Sequence, residues 1–251
     1  MQRLWLRWLV LALFLVVVAV AFTSLGRWQL SRLEERRLGN EQVAAQQQAP
    51  PVTADQALAD EVTDAEQWQR VEVSGVFEDE QLSVPHRRNG EDPGYEVLTP
   101  LRLDDGRHLL VSRGFVPLAQ GLPVPDTVPA PPPGPVEVAA WLRRNEVGRD
   151  ALVTPAAGSV RLVNVPAVAA TLPYPVVDTG WLAAYEVRPA QDGGLEPVLV
   201  PTPEEGNHFS YALQWFAFTG IAVVGAVVLV RGDLRERRAA RAAAVGAAPA
   251  D

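Results

Sequence analysis

FSYALQWFAFTGIAVVGAVVLV, residues 209–230, carries no charge. At about 1.5 Å per helical residue it is long enough to cross a hydrocarbon core of about 30 Å. A second run, WLVLALFLVVVAVAFTSL (8–25), is equally free of charge. Two such spans, one towards each end, predict a membrane protein whose remaining residues form a domain between them.

The side on which that domain lies follows from arginine, because the chain has no lysine and positive charge governs short flanking loops. Arg3 and Arg7 precede the first run; Arg231, Arg235, Arg237, Arg238 and Arg241 follow the second. Between Gly26 and His208 there are 15 Arg against 27 Asp plus Glu, a net of −12, whereas each end carries +2. Both termini are therefore expected in the cytoplasm and the middle outside. Arg27, Arg32, Arg36 and Arg37 count the other way, but Glu34 and Glu35 are interleaved with them. Ala19-Val20-Ala21 resembles a signal-peptidase site, yet it lies inside an apolar run longer than a signal core, so the span is expected to be retained. The organisation read here is a cytoplasmic N-terminus (1–7), a span (8–25), a juxtamembrane helical segment (26–50), a β-rich extracytoplasmic domain (51–207), a span (208–230) and an Arg-rich then Ala-rich cytoplasmic tail (231–251). Absence of Lys beside heavy use of Ala, Val, Arg and Pro suggests a bacterial chain, hence a plasma membrane. Zero Cys excludes disulfides, thiolate metal sites and covalent haem attachment.

Outside the first span, GRWQLSRLEERRLGNEQVAAQQQ (26–48) lacks Pro and keeps helix formers, so the helix is expected to continue. Trp28, Arg32 and Arg36 share one face of it, with Gln29 beside them. From Trp68 the pattern becomes short β runs of period two: WQRVEVSGVF, QLSVPHR, YEVLTPLRL, HLLVSRGFV and VEVAAWLR. NGEDPG and DDG mark hairpin turns among them. LPVPDTVPAPPPGP (122–135) has seven Pro in fourteen residues and reads as an extended polyproline loop. VRLVN (160–164) predicts another strand, PAVAATL (166–172) a short helix opened by Pro, and LAAYEVRP and EPVLV two last strands. The fold class expected is two transmembrane α-helices flanking a mainly antiparallel, barrel-like β domain with a short helix.

No nucleophile elbow, P-loop, zinc-protease helix or dinucleotide-binding glycine pattern occurs. Of the three histidines, His86 and His108 are expected at the surface or rim of the sheet. His208 stands at the outer edge of the second span, in a stripe with Tyr211, Ala212, Trp215 and Thr219. Two readings stay open from the residues alone. An aromatic belt, with Asn207 and His208 wetting the helix start, accounts for the pattern. So does a site where imidazole ligates the iron of a flat apolar macrocycle packed by the aromatics. Trp28 and Arg32 likewise fit a belt residue with headgroup-facing charge.

LGRWQLSR (25–32), PGYEVLTPLRLDDGRHLLVSRGFVP (93–117) and NHFSYALQWF (207–216), in this order between two spans, resemble the surfeit locus protein 1 family of cytochrome c oxidase assembly factors. VEVAAWLRRNE and LVNVPAVAATL resemble further family segments in the same order. Phe115 stands where many members have Trp, Asn164 where they have Asp, and Ala140 where Gly is common; these departures bear on strand detail. The resemblance implies an assembly protein, not an enzyme. It implies help with delivery or insertion of haem a into the catalytic subunit of a haem-copper oxidase, with haem a synthase as a further partner. The chain would contact membrane lipid and no nucleic acid. Carried over, the motifs fall on Gly26, Trp28, Gln29 and Arg32, on Arg113, Gly114 and Phe115, and on His208, Tyr211 and Trp215. His208 would meet the haem iron or ring, and Arg32 or Arg113 would pair the propionates. A scaffold that holds an oxidase intermediate without touching haem fits the same layout. An extracytoplasmic sensor fits it less well, since the tail from Arg231 onward has 21 residues and leaves no room for an output domain.

Overall fold

The computed structural model describes residues 2–125 and 127–246. The chain divides into two compact units, Met1–Gly39 with Glu204–Asp251, and Asn40–Pro203.

The first unit is a pair of long helices. α1 (Gln2–Gln48) is unbroken for 47 residues, as expected of a stretch with no Pro, and its last residues belong to the second unit. The final helix, His208–Gly246, is 39 residues long. Both are long and apolar enough to cross a membrane, and their apolar windows are almost wholly unburied, at 6% and 0%. Leu9, Leu13, Val17, Leu213, Ile221, Val224 and Val228 are all exposed, as side chains facing lipid would be.

The second unit is a sheet with short helices against it. Its elements are β1 (Val52–Thr53), α2 (Ala54–Ala57), β2 (Arg70–Phe77), β3 (Leu82–Asn89), β4 (Asp92–Arg102), β5 (His108–Pro117), β6 (Pro135–Arg143), α3 (Asp150–Val153), α4 (Val165–Ala169) and β7 (Trp181–Arg188). The closing helix of the first unit is α5. The strands lie in the order β1-β2-β6-β7-β5-β4-β3, with a further two-pair contact between β2 and β4 that curls the sheet. The expectation of an antiparallel, barrel-like domain is thus refined to one mixed sheet. β1 runs parallel to β2, and β5 runs parallel to β7. Hairpin periodicity reveals neighbours in sequence, and β5 and β7 are not neighbours in sequence.

Apolar clusters cover both faces. On one, Ala54, Leu58 and Val62 pack on Val71, Leu101, Val111, Val138 and Leu182; on the other, Val160, Val163, Val165 and Val168 pack on Val84, Leu98, Leu110, Trp181 and Ala183. This is why β4 and β5 are buried almost end to end, where strands with one wet face would alternate. The short helix expected at 166–172 is α4, capped by Asn164, whose side chain accepts from the Ala167 amide. Two expected strands are absent. Residues 160–164 are irregular; their valines pack inward while Glu146 accepts from the Val163 amide. Glu196–Val200 forms only an isolated bridge with Phe115, its alternating pattern arising from Val198 filling the core and Leu199 pointing out.

Candidate functional site

The helix pair is built on a heptad-like repeat. Among the less exposed residues of α1 are 11, 15, 18, 22, 26, 29 and 33, and among those of α5 are 208, 212, 215, 219, 222 and 226. Steps of three and four keep one seam facing a neighbouring helix. Contacts run in opposite chain order: Arg37 with Glu205, Gln29 with His208, Gly26 with Phe216, and Phe22 with Trp215 and Phe218. The helices are therefore antiparallel.

Small residues let them approach. Ala212 is buried in the seam, and a Cβ on Gly26 would lie 2.7 Å from the Phe216 ring. Below them Phe22, Trp215 and Phe218 form an aromatic cluster with centroids 5.4–5.9 Å apart. Trp215 is thus engaged within the pair. At the outer end the Arg37 guanidinium makes two 2.9 Å hydrogen bonds to Glu205, and these hold the Glu205 carboxyl below the usual carboxylate range.

Between these levels sits His208. Its Nδ1 lies 2.8 Å from Gln29 Oε1, joining the two segments that carry the sequence motifs. Among the described residues no group hydrogen-bonds Nε2, and Nε2 is not one of the buried unpartnered atoms. Gly206, at φ +64°, lies along the same edge of the ring; a Cβ there would come within 3.6 Å of Nε2.

Trp28, Arg32 and Tyr211 stand beside the seam. All three are about half exposed. At about 100° per residue, Trp28 and Arg32 are rotated from Gln29 to one flank of α1. In an antiparallel partner the same rotation carries Tyr211 from His208 to that same flank of the pair, with Gly26 and Phe216 on the opposite one. The Arg32 guanidinium lies 5.7 Å from the Trp28 ring centroid and pairs with Glu35 at 2.6 Å, an exposed contact that exchanges easily. The arrangement offers an imidazole nitrogen at the seam, with two aromatic side chains and a guanidinium on one flank of the pair.

Arg113 is placed differently. It is buried in the sheet unit, donating from Nε to Thr99 Oγ1 (2.9 Å), from Nη1 to Gln191 Oε1 (2.8 Å) and the Ala130 carbonyl (3.4 Å), and from Nη2 to Gln81 Oε1 (2.5 Å) and the Pro129 carbonyl. Burial pulls its pKa down to about 10. These partners make it the anchor of the polyproline loop, a task that the sequence did not disclose because the loop's carbonyls carry no side-chain signature. Beside it Phe115 covers Gly94, where a Cβ would strike both the Phe115 ring and the Val116 carbonyl.

His86 is exposed, as expected of a strand-end histidine, at a bulge with φ +61°. His108 departs from the rim position expected of it. It is buried, stacked on Tyr174 with centroids 3.9 Å apart, with Nε2 3.1 Å from Glu78. A second buried polar group went unread as well: Arg87 bridges Glu146 and Glu96, while Arg143 lies 4.0 Å from the Trp68 ring centroid and 5.1 Å from that of Trp181. Among the described residues no three His, Asp or Glu side chains come together as a metal-binding group.

A model of the SURF1 family matches residues 16–220 of the chain. An uncharacterised SURF1-like protein of Mycobacterium bovis is 33% identical over 250 residues, covering 96% of this chain and 89% of its own length, and one of Mycobacterium tuberculosis is similar to the same extent. A SURF1-like protein of Rickettsia felis is 34% identical over 107 residues, covering 40% of this chain and 45% of its own length.

Proposed function

Since the chain belongs to the SURF1 family of cytochrome oxidase assembly factors, we propose that it assists the delivery or insertion of haem a into the catalytic subunit of cytochrome c oxidase, working at the outer face of a bacterial plasma membrane. The observation that carries this reading is the open Nε2 of His208, held by its other nitrogen at the seam between the helices. Metal-bound histidines use that arrangement, one ring nitrogen tethered and the other presented.

The residues fit such a group. His208 Nε2 would hold the iron, Tyr211 and Trp28 would lie against the macrocycle, and Arg32 would exchange Glu35 for a propionate. Trp215, closed into the aromatic cluster, would shape the floor of the site. Arg113, the other guanidinium considered for the propionates, already has its donors on protein oxygens, so Arg32 takes the role here. Iron would serve as cargo, so the protein needs no reaction of its own and acts as a carrier, not an enzyme. Haem a synthase and the oxidase subunit are the donor and acceptor such a carrier requires. The arginine distribution supports an orientation with both termini in the cytoplasm and the sheet unit outside.

The full chain purified from cells that make haem a should show a Soret band that His208→Ala loses. Retention of haem at unchanged affinity in the variant would remove His208 from the site. If neither protein holds haem while the oxidase subunit still copurifies after haem depletion, the chain is a scaffold.

A further inference from the structure

Gln29 faces Nδ1 of His208, and its amide oxygen is the atom turned towards it, 2.8 Å away. A carbonyl oxygen only accepts, so the ring must carry its proton on Nδ1, and the lone pair is left on Nε2. Unperturbed neutral imidazole chooses between its two tautomers by the hydrogen bonds on offer. We infer that Gln29 is a positioning residue which holds His208 in the Nδ1–H tautomer, so that a ligand-competent Nε2 exists only when α1 and α5 are paired. The inference deepens the haem-carrier reading and rests on it for its purpose.

Three observations converge on this. Gln29 belongs to the α1 seam and His208 to the α5 seam, one heptad-like step from the buried Leu33 and Ala212 respectively. The contact therefore forms through pairing of the helices and not through local chain geometry, since 179 residues separate the two. At the other edge of the ring, Gly206 leaves space beside Nε2 that any side chain would narrow. One side of the imidazole is clamped and the other cleared. Opening the seam would free the ring to turn or change tautomer, which gives a carrier a means of letting go: a partner helix that displaces α1 from α5 would weaken the grip on a metal without touching the metal.

The test uses the full chain, labelled with ¹⁵N-histidine, in detergent micelles without haem. Three histidines give three ring spin systems, and His208 is identified by its loss in His208→Ala. The wild type should show a protonated Nδ1 and an unprotonated Nε2 at His208. Gln29→Leu should move the proton to Nε2, and Gln29→Glu, which keeps an acceptor, should restore Nδ1–H. A wild-type His208 protonated on Nε2 overturns the inference, as does a Gln29→Leu spectrum identical to the wild type. Because the wild-type spectrum decides by itself, the inference stays testable even if Gln29→Leu misfolds.

Titration with haem a then separates the two readings. Gln29→Leu should lose about 10- to 100-fold in affinity, the usual effect of removing the group behind a ligating histidine. Gln29→Glu should lower the midpoint potential of the bound haem. If the Nδ1–H tautomer is present and the wild type binds no haem a, the carrier reading fails and the role of Gln29 stands. Equal haem a affinity in wild type and Gln29→Leu leaves the carrier reading and refutes the role of Gln29.

Discussion

Two arginines with similar sequence signals have opposite circumstances. Arg32 is exposed with a replaceable partner, whereas Arg113 is enclosed and bonded to five oxygens. Arg113→Met should therefore act on stability. It leaves the carbonyls of Pro129 and Ala130 and two glutamine side chains without a donor, at a cost of about 3 kcal/mol. Denaturant unfolding of the sheet unit, followed by aromatic circular dichroism, should show the loss. Arg32→Ala should leave that transition within about 0.5 kcal/mol, as surface substitutions do, while weakening haem a binding. What the sequence reveals at this scale is position. His208 is legible because a histidine at the entry to an apolar helix is unusual. Its partner is less so: a glutamine next to a tryptophan and an arginine draws no attention until a second helix is set against it.

For the elements, the helix pair depends on close approach at Gly26. Gly26→Ala presses a methyl group on Phe216, which is partly exposed and has room to swing. Gly26→Leu has no such relief, and overpacking of this kind costs about 1–3 kcal/mol. The larger substitution should separate Gln29 from His208, and the ¹⁵N-histidine spectrum should then match that of Gln29→Leu, with Gly26→Ala close to wild type. The seam itself is readable in advance as residues at steps of three and four, but lipid-facing positions are apolar too, so hydropathy does not tell seam from lipid face. The strands illustrate the complementary limit. Period two identified β2 to β7, yet it also marked 160–164 and 196–200, where inward valines sit on irregular backbone. Burial dictates side-chain alternation; the hydrogen-bonded ladder is a separate condition, and neither segment meets it along its length.

At the level of the molecule, both clusters of core side chains fall between Ala54 and Val198, all within the unit Asn40–Pro203. A fragment of residues 49–203 should accordingly fold without either apolar helix, giving a cooperative thermal transition and dispersed amide signals. A chain that stays unfolded would mean that the helices contribute to the core. Reporter fusions test the orientation: alkaline phosphatase joined after residue 120 should be active, and the same enzyme joined after residue 240 inactive. Deleting the gene should lower oxidase haem a and activity together; normal levels of both would remove the assembly role. A long apolar helix towards each end and one sheet unit between them in sequence were evident from hydropathy and periodicity, because those quantities sum over many residues. Strand order was not, since it depends on which distant segments meet.

That order has a consequence in time. β7 is the last strand to be made, yet it lies at the centre of the sheet, antiparallel to β6 on one side and parallel to β5 on the other. Until Trp181–Arg188 emerges, β5 and β6 each present an unsatisfied edge. The growing domain therefore waits, open to other strands, through most of its synthesis, and locks only when the residues just ahead of the second helix arrive. A nascent chain stalled before residue 181 should be sensitive to protease and prone to aggregation, and one released some thirty residues later should be neither.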